Sequence, residues 1–496
     1  MPRRWIPLPL VLTLAAAPLG AQGPEELAAP AGAAPAPAAL LHGGEFLSIC
    51  IPEPGTRAGL RDVQAQVHSA TGDTFVVVRR DLLPLAMVAP RARSYAAGEW
   101  LARGEPVRVG GRDYGPTGER AMATASEMEP AGIFREVRLF RRRTGRPAGE
   151  IYVPVGPGCE FAVYRAGDAP VRNGRTTWYR PLRSMELLYA TNRVPTGKPE
   201  PARYYGNENR GMEWGRLRVS IPPGHRLGHI ELPRRPLGVG VERTDSLSHM
   251  ILRSLQTGDV AAGERRPVLV FIHGYNTTFQ EAAWRAAQLA HDLDFEGVPY
   301  FFSWPSQGRL LGYGADVTMV ERSRRHFAAF LDSLVKVYGA DNLNVVVHSM
   351  GHRGFVQAVE DMRRAGRSGK LFNVVVMASP DRDYEVFAEQ DLPVVLEAAG
   401  RVAVYASRHD VALSFSGFIH GRRRAGGPEL LAAVDSTALE VIDTSHRSGD
   451  FTGHSDYAQS PAVLADIFLL LRGRSPGQRN LVEHPSDRGR HWDFRP

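Results

Sequence analysis

Three residues that are far apart in the sequence could together form a nucleophilic site: Ser349, Asp410 and His454. A serine hydroxyl is a weak nucleophile at neutral pH, so it needs a histidine as base and a carboxylate that orients the histidine. The order serine, acid, histidine accompanies a nucleophile that sits on a strand-to-helix turn. The sequence therefore predicts these three residues as the catalytic group.

Ser349 lies in the pentapeptide Val347-His348-Ser349-Met350-Gly351, between an apolar run and the start of an amphipathic helix pattern. The run Leu343 to Val347 is typical of a buried strand. A serine on the sharp bend between such a strand and a helix exposes its hydroxyl above the sheet. The pentapeptide departs from G-x-S-x-G because Val347 replaces the first glycine. A simple helix N-cap is the alternative role for this serine.

A second strand pattern, Pro267 to Ile272, ends in His273-Gly274-Tyr275-Asn276. A glycine there allows a tight turn, so the amide of Tyr275 could pair with that of Met350 as an oxyanion hole. His273 and Gly274 are candidates for lining the same pocket. The alternative is an ordinary loop before a helix that runs to about Leu293, with Thr278 and Glu281 as its capping box.

The acid and the base each have rivals in the sequence. Asp410 follows the predicted strand Arg401 to Ala406, and His454 lies in the loop before the predicted final helix, about Ala462 to Leu471. The rivals of Asp410 are Asp381 and Asp383, and the rival of His454 is His446. Each of these also follows a predicted strand. His348 and His352 have i, i+4 spacing but no third ligand at metal-like spacing, so no metal site is predicted.

The segment Trp304 to Gly314 lacks a helical period and could cover or line a pocket. Trp304 and Tyr313 are its candidates for contact with an acyl group. Aromatic residues in such loops also pack on the scaffold, which is the alternative for both.

From about Pro181 to Arg474 the sequence resembles an uncharacterised esterase/lipase-like family of the α/β-hydrolase superfamily, found mainly in bacteria. The resemblance implies a serine hydrolase fold with Ser349, Asp410 and His454 in the triad positions, and it implies no substrate. The chain departs from the family at His352, where asparagine is usual. The matching segments are Tyr189-Ala190-Thr191-Asn192-Arg193, Gly215 to Pro222, His273 to Asn276, Phe302-Ser303-Trp304-Pro305-Ser306, His348 to Gly351, Tyr405-Ala406-Ser407 with Asp410, and Gly453-His454-Ser455.

Length and composition indicate a globular protein of two or three domains. The chain has 496 residues, of which 43% are hydrophobic and 23% charged, and a formal net charge of +7. Most of the positive charge comes from arginine, because lysine occurs only at 198, 336 and 370. The basic clusters lack a nucleic-acid-binding motif or interleaved aromatic residues, so no nucleic-acid partner is predicted.

The N-terminus predicts export. Residues 1–21 contain Arg3 and Arg4, an apolar stretch to Leu19 and a small-residue cleavage region, which is the pattern of a signal peptide. We expect the mature protein in the periplasm or outside the cell, without a stable membrane span. Cys50 and Cys159 could form a disulfide in that oxidising compartment, and two separate buried thiols are the alternative.

The rest of the chain divides by pattern into four segments. Residues 22–44 form an Ala/Pro-rich linker, and residues 45–180 show short β-prone runs typical of a small β-rich domain. Residues 181–475 alternate strand and helix patterns, which predicts an α/β-hydrolase fold with a mostly parallel sheet and helices on both faces. Residues 476–496 are interpreted as a polar tail. The β-rich domain could select substrate, contact the envelope, shield the site or only stabilise the hydrolase.

These patterns predict a secreted serine hydrolase that cleaves a small-molecule or lipid carboxylic ester through an acyl-enzyme, without a cofactor or metal. A thioesterase, amidase or acyltransferase could use the same three residues. From a different class, the chain could be an envelope-binding protein that uses the hydrolase fold as a scaffold.

Overall fold

A computed structural model describes most of the chain from Phe46 onward. The described residues are 46–52, 60–68, 71–78, 81–89, 99–135, 137–143, 149–156, 159–167, 183–198, 203–221, 225–230, 250–254, 266–309, 312–432, 439–447, 453–486 and 489–494. The predicted signal peptide, 1–21, and the predicted linker, 22–44, lie outside these residues.

The N-terminal region contains two antiparallel sheets. The first has the strand order β1-β2-β3-β4, and among the described residues after it lie the short helices α1 (Leu85–Val88) and α2 (Glu99–Ala102). The second has the strand order β5-β6-β10-β9-β8-β7. The strands are β1 (Phe46–Pro52), β2 (Leu60–Val67), β3 (Thr74–Val78), β4 (Asp81–Pro84), β5 (Val107–Val109), β6 (Arg112–Met122), β7 (Met128–Phe134), β8 (Val137–Arg142), β9 (Glu150–Pro154) and β10 (Glu160–Ala166).

A disulfide links these two sheets. Cys50 in β1 is bonded to Cys159, the residue before β10, across a sequence separation of 109. The two cysteines pack with a small apolar cluster that includes Leu60 from the first sheet and Phe140 and Phe161 from the second. The alternative of two separate thiols is therefore wrong, and the bond ties the first strand to a residue 109 positions later in the sequence.

A single sheet of eleven strands organises the region from Arg183 onward, in the order β13-β12-β11-β15-β14-β16-β17-β18-β19-β21-β20. The eight strands from β11 to β21 in that order run parallel to one another, and β12, β13 and β20 are added at the two edges in antiparallel pairs. The strands are β11 (Arg183–Pro195), β12 (Tyr205–Ile221), β13 (Met250–Ser254), β14 (Val268–Ile272), β15 (Val298–Ser303), β16 (Leu343–His348), β17 (Phe372–Ala378), β18 (Ala399–Ala406), β19 (Leu439–Asp443), β20 (Leu481–Ser486) and β21 (Gly489–Phe494).

Helices connect the parallel strands and cover the sheet. Every residue of β14 is buried, because a parallel strand in the middle of such a sheet is covered on both faces. The helices are α3 (Phe279–Asp292), α4 (Tyr313–Arg322), α5 (Arg324–Tyr338), α6 (Gly351–Arg364), α7 (Tyr384–Val386), α8 (Leu392–Ala398), α9 (Val411–His420), α10 (Asp456–Gln459) and α11 (Pro461–Leu471). The predicted α/β-hydrolase fold with a β-rich region before it is confirmed.

Two details differ from the sequence predictions. The predicted polar tail is wrong for most of its length, because β20 and β21 pair as an antiparallel hairpin and β21 joins the edge strand β19. Leu481 and Phe494, the first and last residues of this hairpin, are buried, and their burial stabilises the attachment of the hairpin to the sheet. The helical pattern from about Val317 to Tyr338 predicts a single helix, but the structure has two, α4 and α5, which meet at Ser323.

Ion pairs join the N-terminal sheets to the hydrolase region. Asp73 beside β3 pairs with Arg474 at 2.8 Å, and Asp81 in β4 pairs with Arg447 at 3.6 Å. Among the described residues, no helix combines the length and the apolar character needed to cross a bilayer.

Candidate active site

The nucleophile candidate, Ser349, occupies the turn between β16 and α6. Its φ is +51°, in the left-handed region that a serine rarely adopts. Its amide donates to the carbonyl of Ala378 in the neighbouring strand β17, at 2.9 Å, and this bond holds the turn against the sheet. The sharp turn that the sequence predicted is therefore present, and Ser349 does not act as a side-chain N-cap of α6.

The side chains of Ser349, His454 and Asp410 form a continuous hydrogen-bonded row. His454 Nε2 lies 3.0 Å from Ser349 Oγ, and His454 Nδ1 lies 2.8 Å from Asp410 Oδ2. The second oxygen of Asp410 accepts the amide of Leu413 at 2.8 Å, so the carboxylate also caps α9. Asp410 is 2% exposed and Ser349 is 3% exposed. This arrangement matches the geometry required of a nucleophile, a base and an orienting acid.

The rival residues lie elsewhere. Asp381 accepts hydrogen bonds from Tyr313 and Ser416 and pairs with Arg424 in a buried cluster. Asp383 caps the short helix α7 through the amides of Glu385 and Val386. His446 is exposed at the end of β19. None of the three has a hydrogen bond to Ser349 among the contacts of the described residues.

The loop His273 to Thr278, here called the oxyanion loop, lies directly against the nucleophile. A Cβ added to Gly274 would be 2.8 Å from the Cβ of Ser349, so only glycine permits this approach. A Cβ added to Gly351 would be 2.6 Å from the carbonyl oxygen of His273, so the elbow and the loop touch from both sides. Tyr275 and Met350, which were predicted as amide donors, adjoin these two glycines in sequence.

Two buried charged residues hold the oxyanion loop, and sequence reasoning missed both roles. Arg193 is 1% exposed, and its guanidinium donates to the carbonyls of Thr277 and Ser306 at 2.8 and 3.1 Å. Asp316 accepts the amide of Asn276 at 3.2 Å and the hydroxyl of Ser306 at 2.6 Å. The sequence contained one indication of this role, an arginine at the end of an apolar strand pattern. A charge buried at such a position needs hydrogen-bond or ionic partners.

Burial shifts the pKa of both residues, and their other contacts oppose that shift. Burial lowers the pKa of Arg193 to about 9, against the attraction of Asp316 and Glu281, so the guanidinium is charged at neutral pH. Burial raises the pKa of Asp316, against hydrogen bonds from Ser306, Gln307 and Asn276. The oxyanion loop is thus fixed by a cation that binds its carbonyl and an anion that binds its amide.

His348 supports the histidine candidate from the side. Its Nε2 lies 3.0 Å from the carbonyl oxygen of His454, and its ring contacts the rings of His454 and Tyr457 at centroid distances of 4.8 and 4.5 Å. Burial lowers the pKa of His348 well below its usual value, so the neutral ring donates its Nε2 hydrogen to that carbonyl. This role was not predicted, and adjacency to the serine was its only indication.

His352 lies one turn into α6 and is fully buried. Its Nδ1 lies 2.6 Å from the carbonyl oxygen of Ser349, so it donates to the backbone of the nucleophile. Its Nε2 is buried without a hydrogen-bond partner among the described residues. Burial lowers the pKa of His352 to about 4, so its ring is neutral at neutral pH.

The pocket predictions need partial correction. Trp304 is 0% exposed and His273 is 1% exposed, and their rings stack at 4.9 Å inside the protein. The indole of Trp304 donates to the carbonyl of His273 at 2.8 Å, so both side chains support the oxyanion loop and neither faces a ligand. Tyr313 is half-buried, and its ring lies 5.3 Å from that of Tyr275, at the edge of the oxyanion loop.

Metal-ligating atoms come close together at two places within the described ranges. One is Cys50, Asp62 and Cys159, where the disulfide has consumed both thiols. The other is His225, His291 and Asp292, where the carboxylate of Asp292 already binds His225 and the amide of Gly228. Neither group includes a residue of the Ser349 row.

Comparison with known proteins shows which family this region is similar to. Residues 252–474 match the family model described as "Alpha/beta hydrolase of unknown function (DUF900)". The matched segment includes Ser349, Asp410 and His454. These residues form an α/β-hydrolase domain. The resemblance seen in the sequence is confirmed, and the match covers less of the chain than the segment from Pro181 to Arg474. No curated protein matches the chain.

Several solved structures of esterases and hydrolases have some similarity to this chain. An esterase from Pyrobaculum calidifontis is 12% identical, with 59% of this chain and 86% of that chain covered and a TM-score of 0.27. A predicted CIB-like hydrolase from Thermoplasma acidophilum is 12% identical, with 59% and 100% covered and a TM-score of 0.28. An esterase from Rhizomucor miehei is 13% identical, with 52% and 78% covered and a TM-score of 0.26. Similarity at this level carries no argument about the substrate of this chain.

Proposed function

We propose that the protein is a serine hydrolase that cleaves carboxylic esters through an acyl-enzyme. The observation that carries the proposal is the position of His454, whose two ring nitrogens lie 3.0 Å from Ser349 Oγ and 2.8 Å from Asp410 Oδ2. A structural histidine would not need a serine in a strained turn on one side and a buried carboxylate on the other.

The reaction follows from this geometry. Ser349 Oγ attacks the ester carbonyl while His454 Nε2 takes the hydroxyl proton, and Asp410 stabilises the imidazolium through Nδ1–H. The tetrahedral intermediate collapses, the C–O bond to the alcohol breaks, and His454 returns the proton to the leaving alkoxide. Water then attacks the acyl-enzyme with His454 as base, which releases the acid and restores Ser349.

The developing oxyanion needs hydrogen-bond donors in place before the reaction. We assign this role to the amides of Met350 and Tyr275. The support is the close packing of Gly274 and Gly351 around the nucleophile, together with the two anchors of the oxyanion loop, Arg193 and Asp316.

The proposal also places the protein in the periplasm or outside the cell. The Cys50–Cys159 disulfide supports this, because such bonds persist in oxidising compartments. We propose esters rather than thioesters or amides as substrates, and the choice is open to direct test with matched acyl compounds.

A fluorophosphonate probe and a series of p-nitrophenyl esters of graded chain length test the proposal. We expect the wild-type protein to be labelled and to hydrolyse at least one ester, and Ser349→Ala to lose both. Ser379→Ala is a matched control, because Ser379 also follows a strand of the same sheet and has a φ of +46°. A folded wild-type protein that the probe does not label would contradict the proposal. Hydrolysis of matched thioesters or amides in preference to esters would change the substrate class.

A further inference from the structure

Helix α9 begins directly after Asp410 and exposes large apolar side chains on one face. Val411, Phe415 and Phe418 are 52%, 64% and 85% exposed. They are spaced i, i+4 and i+7, so they form one stripe along the helix. The other exposed large hydrophobic residues among those described are Met122 and Val482. A soluble protein rarely leaves two phenylalanines in such a row in water unless the surface binds something.

The stripe adjoins the candidate active site. The opposite face of α9 carries Ser416, which bonds the hydroxyl of Tyr313 at 3.0 Å. The ring of Tyr313 in turn lies 5.3 Å from that of Tyr275 in the oxyanion loop. Asp410, at the first turn of the same helix, orients His454. The helix that carries the stripe is therefore in contact with the candidate site at Asp410 and, through Ser416 and Tyr313, with the edge of the oxyanion loop.

The charges around the stripe are basic. Arg422 and Arg423 follow the C-terminal glycine of the helix and are exposed. Arg408, which precedes the helix, is also exposed, but its guanidinium pairs with the buried Asp443 at 3.0 Å. Between Arg408 and Arg423 the only acidic residue is Asp410, which is buried. Arg422 has one exposed acidic neighbour, Glu385, at 3.7 Å, and a solvent-exposed pair of this kind holds its partners weakly. An apolar stripe with exposed cations at its C-terminal end matches a surface of acyl chains beneath anionic headgroups.

We infer that the apolar stripe of α9, with its flanking arginines, docks the protein on an anionic lipid surface, from which it takes its ester. Val411, Phe415 and Phe418 enter the boundary between headgroups and acyl chains, and Arg422 and Arg423 bind the headgroups. Docking is inferred only from the exposure of the three apolar side chains and the positive charge of the flanking arginines. The statement that the lipid supplies the ester rests on the proposed function.

Vesicle flotation with the full-length protein tests the docking step. We expect the wild-type protein to float with vesicles of phosphatidylcholine and phosphatidylglycerol, and less with phosphatidylcholine alone. Phe415→Ser with Phe418→Ser should weaken binding to the mixed vesicles on the order of tenfold or more. Arg422→Gln with Arg423→Gln should remove the preference for anionic vesicles. Met122→Ser is the matched control, since Met122 is 65% exposed on β6, and it should bind as the wild type does.

Two further measurements separate the outcomes. Ser349→Ala should bind vesicles unchanged, so the docking step can be judged even if the proposed function fails. Hydrolysis of a soluble short ester should be unchanged in the double serine variant, while hydrolysis of an ester embedded in mixed vesicles should fall with its binding. Wild-type protein that does not float, or a double serine variant that floats equally well, would overturn the inference. So would light scattering that shows a dimer which the double serine substitution converts to a monomer, because the stripe would then bind a second copy.

Discussion

Asp410 shows how much chemistry at the residue scale depends on one contact. It has two strong rivals in the sequence, yet it alone of the three reaches His454, at 2.8 Å. The carboxylate fixes the tautomer that leaves Nε2 free to accept the proton of Ser349, and it stabilises the imidazolium once formed. Both effects act on the rate of the chemical step, since the position of the serine itself is set by the turn.

Asp410→Asn is therefore expected to lower kcat for ester hydrolysis by about a thousandfold to ten-thousandfold, with little change in KM. The amide retains the shape of the side chain and can still cap α9. Asp383→Asn, at the other strand end, is the control and should retain wild-type kcat. A steady-state measurement with a p-nitrophenyl ester decides the matter, and equal losses in the two variants would contradict the assignment.

His352 makes a separate prediction at the residue scale, concerning acid stability. Its pKa is about 4 in the folded protein, below the ordinary value of 6.5, so the unfolded chain binds more protons between these two pH values. Its burial therefore removes stability as the pH falls below 6.5, and this loss levels off below about 4. We expect a loss on the order of 2 kcal/mol from this residue by about pH 4.5.

Urea unfolding of the wild type and His352→Asn at about pH 7 and about pH 4.5 checks this prediction. Asparagine does not titrate, so the variant should lose less stability on acidification than the wild type. An equal loss in both proteins would show that His352 is not buried as a neutral ring. His446→Asn, at an exposed histidine, should follow the wild type.

At the scale of elements, the oxyanion loop depends on a strand that carries no catalytic residue. Arg193 lies near the end of β11, and its guanidinium also donates to Ser303 Oγ at 2.9 Å and to the carbonyl of Gly206 at 3.2 Å. It thus connects β11, β12, β15 and the oxyanion loop. A planar fork can reach these acceptors together, whereas an ammonium group is a single point charge.

Arg193→Lys is expected to lower the free energy of unfolding by about 2 kcal/mol or more, because buried carbonyls lose their donors. It should also lower kcat more than it changes KM, since the loop that aims the oxyanion amide loosens. Arg218→Lys is the matched control on β12, where the side chain is 43% exposed and pairs with Glu186. Urea unfolding and steady-state kinetics on both variants test this, and a stable Arg193→Lys protein with wild-type kcat would contradict it.

At the scale of the whole molecule, the packing of β4 against α11 and two ion pairs join the N-terminal sheets to the hydrolase region. The ion pairs of Asp73 and Asp81 with arginines of the hydrolase are partly exposed, and such pairs contribute little stability. The disulfide acts inside the N-terminal region, where it closes a loop with a sequence separation of 109.

Cys50→Ala with Cys159→Ala is expected to lower the stability of the N-terminal region by about 4 to 5 kcal/mol on the chain-entropy model. Hydrolysis of a soluble ester under native conditions should be unchanged, because neither cysteine contacts the Ser349 row. Limited proteolysis across a urea series, with and without reductant, reports cleavage in the two regions separately. Cleavage of the N-terminal region at the same urea concentration in the variant and the wild type would contradict the prediction.

The sequence by itself determined the features that are local in the chain. Apolar runs predicted the bounds of β14 and β16 within a residue, because a buried strand must be apolar on both faces. The capping box of Thr278 and Glu281 placed the start of α3, since it depends on residues three apart. The three residues of the candidate site were named from their positions at strand ends.

Only the tertiary structure decided which distant groups meet. Three aspartates follow strands, and the sheet order and the path of the last loop select Asp410 for His454. The roles of Arg193, His348 and the hairpin of β20 and β21 depend on neighbours that lie far along the chain, and no local pattern specifies such pairings. The exposure of Phe415 and Phe418 is likewise a property of the assembled surface, because an apolar pattern alone predicts burial.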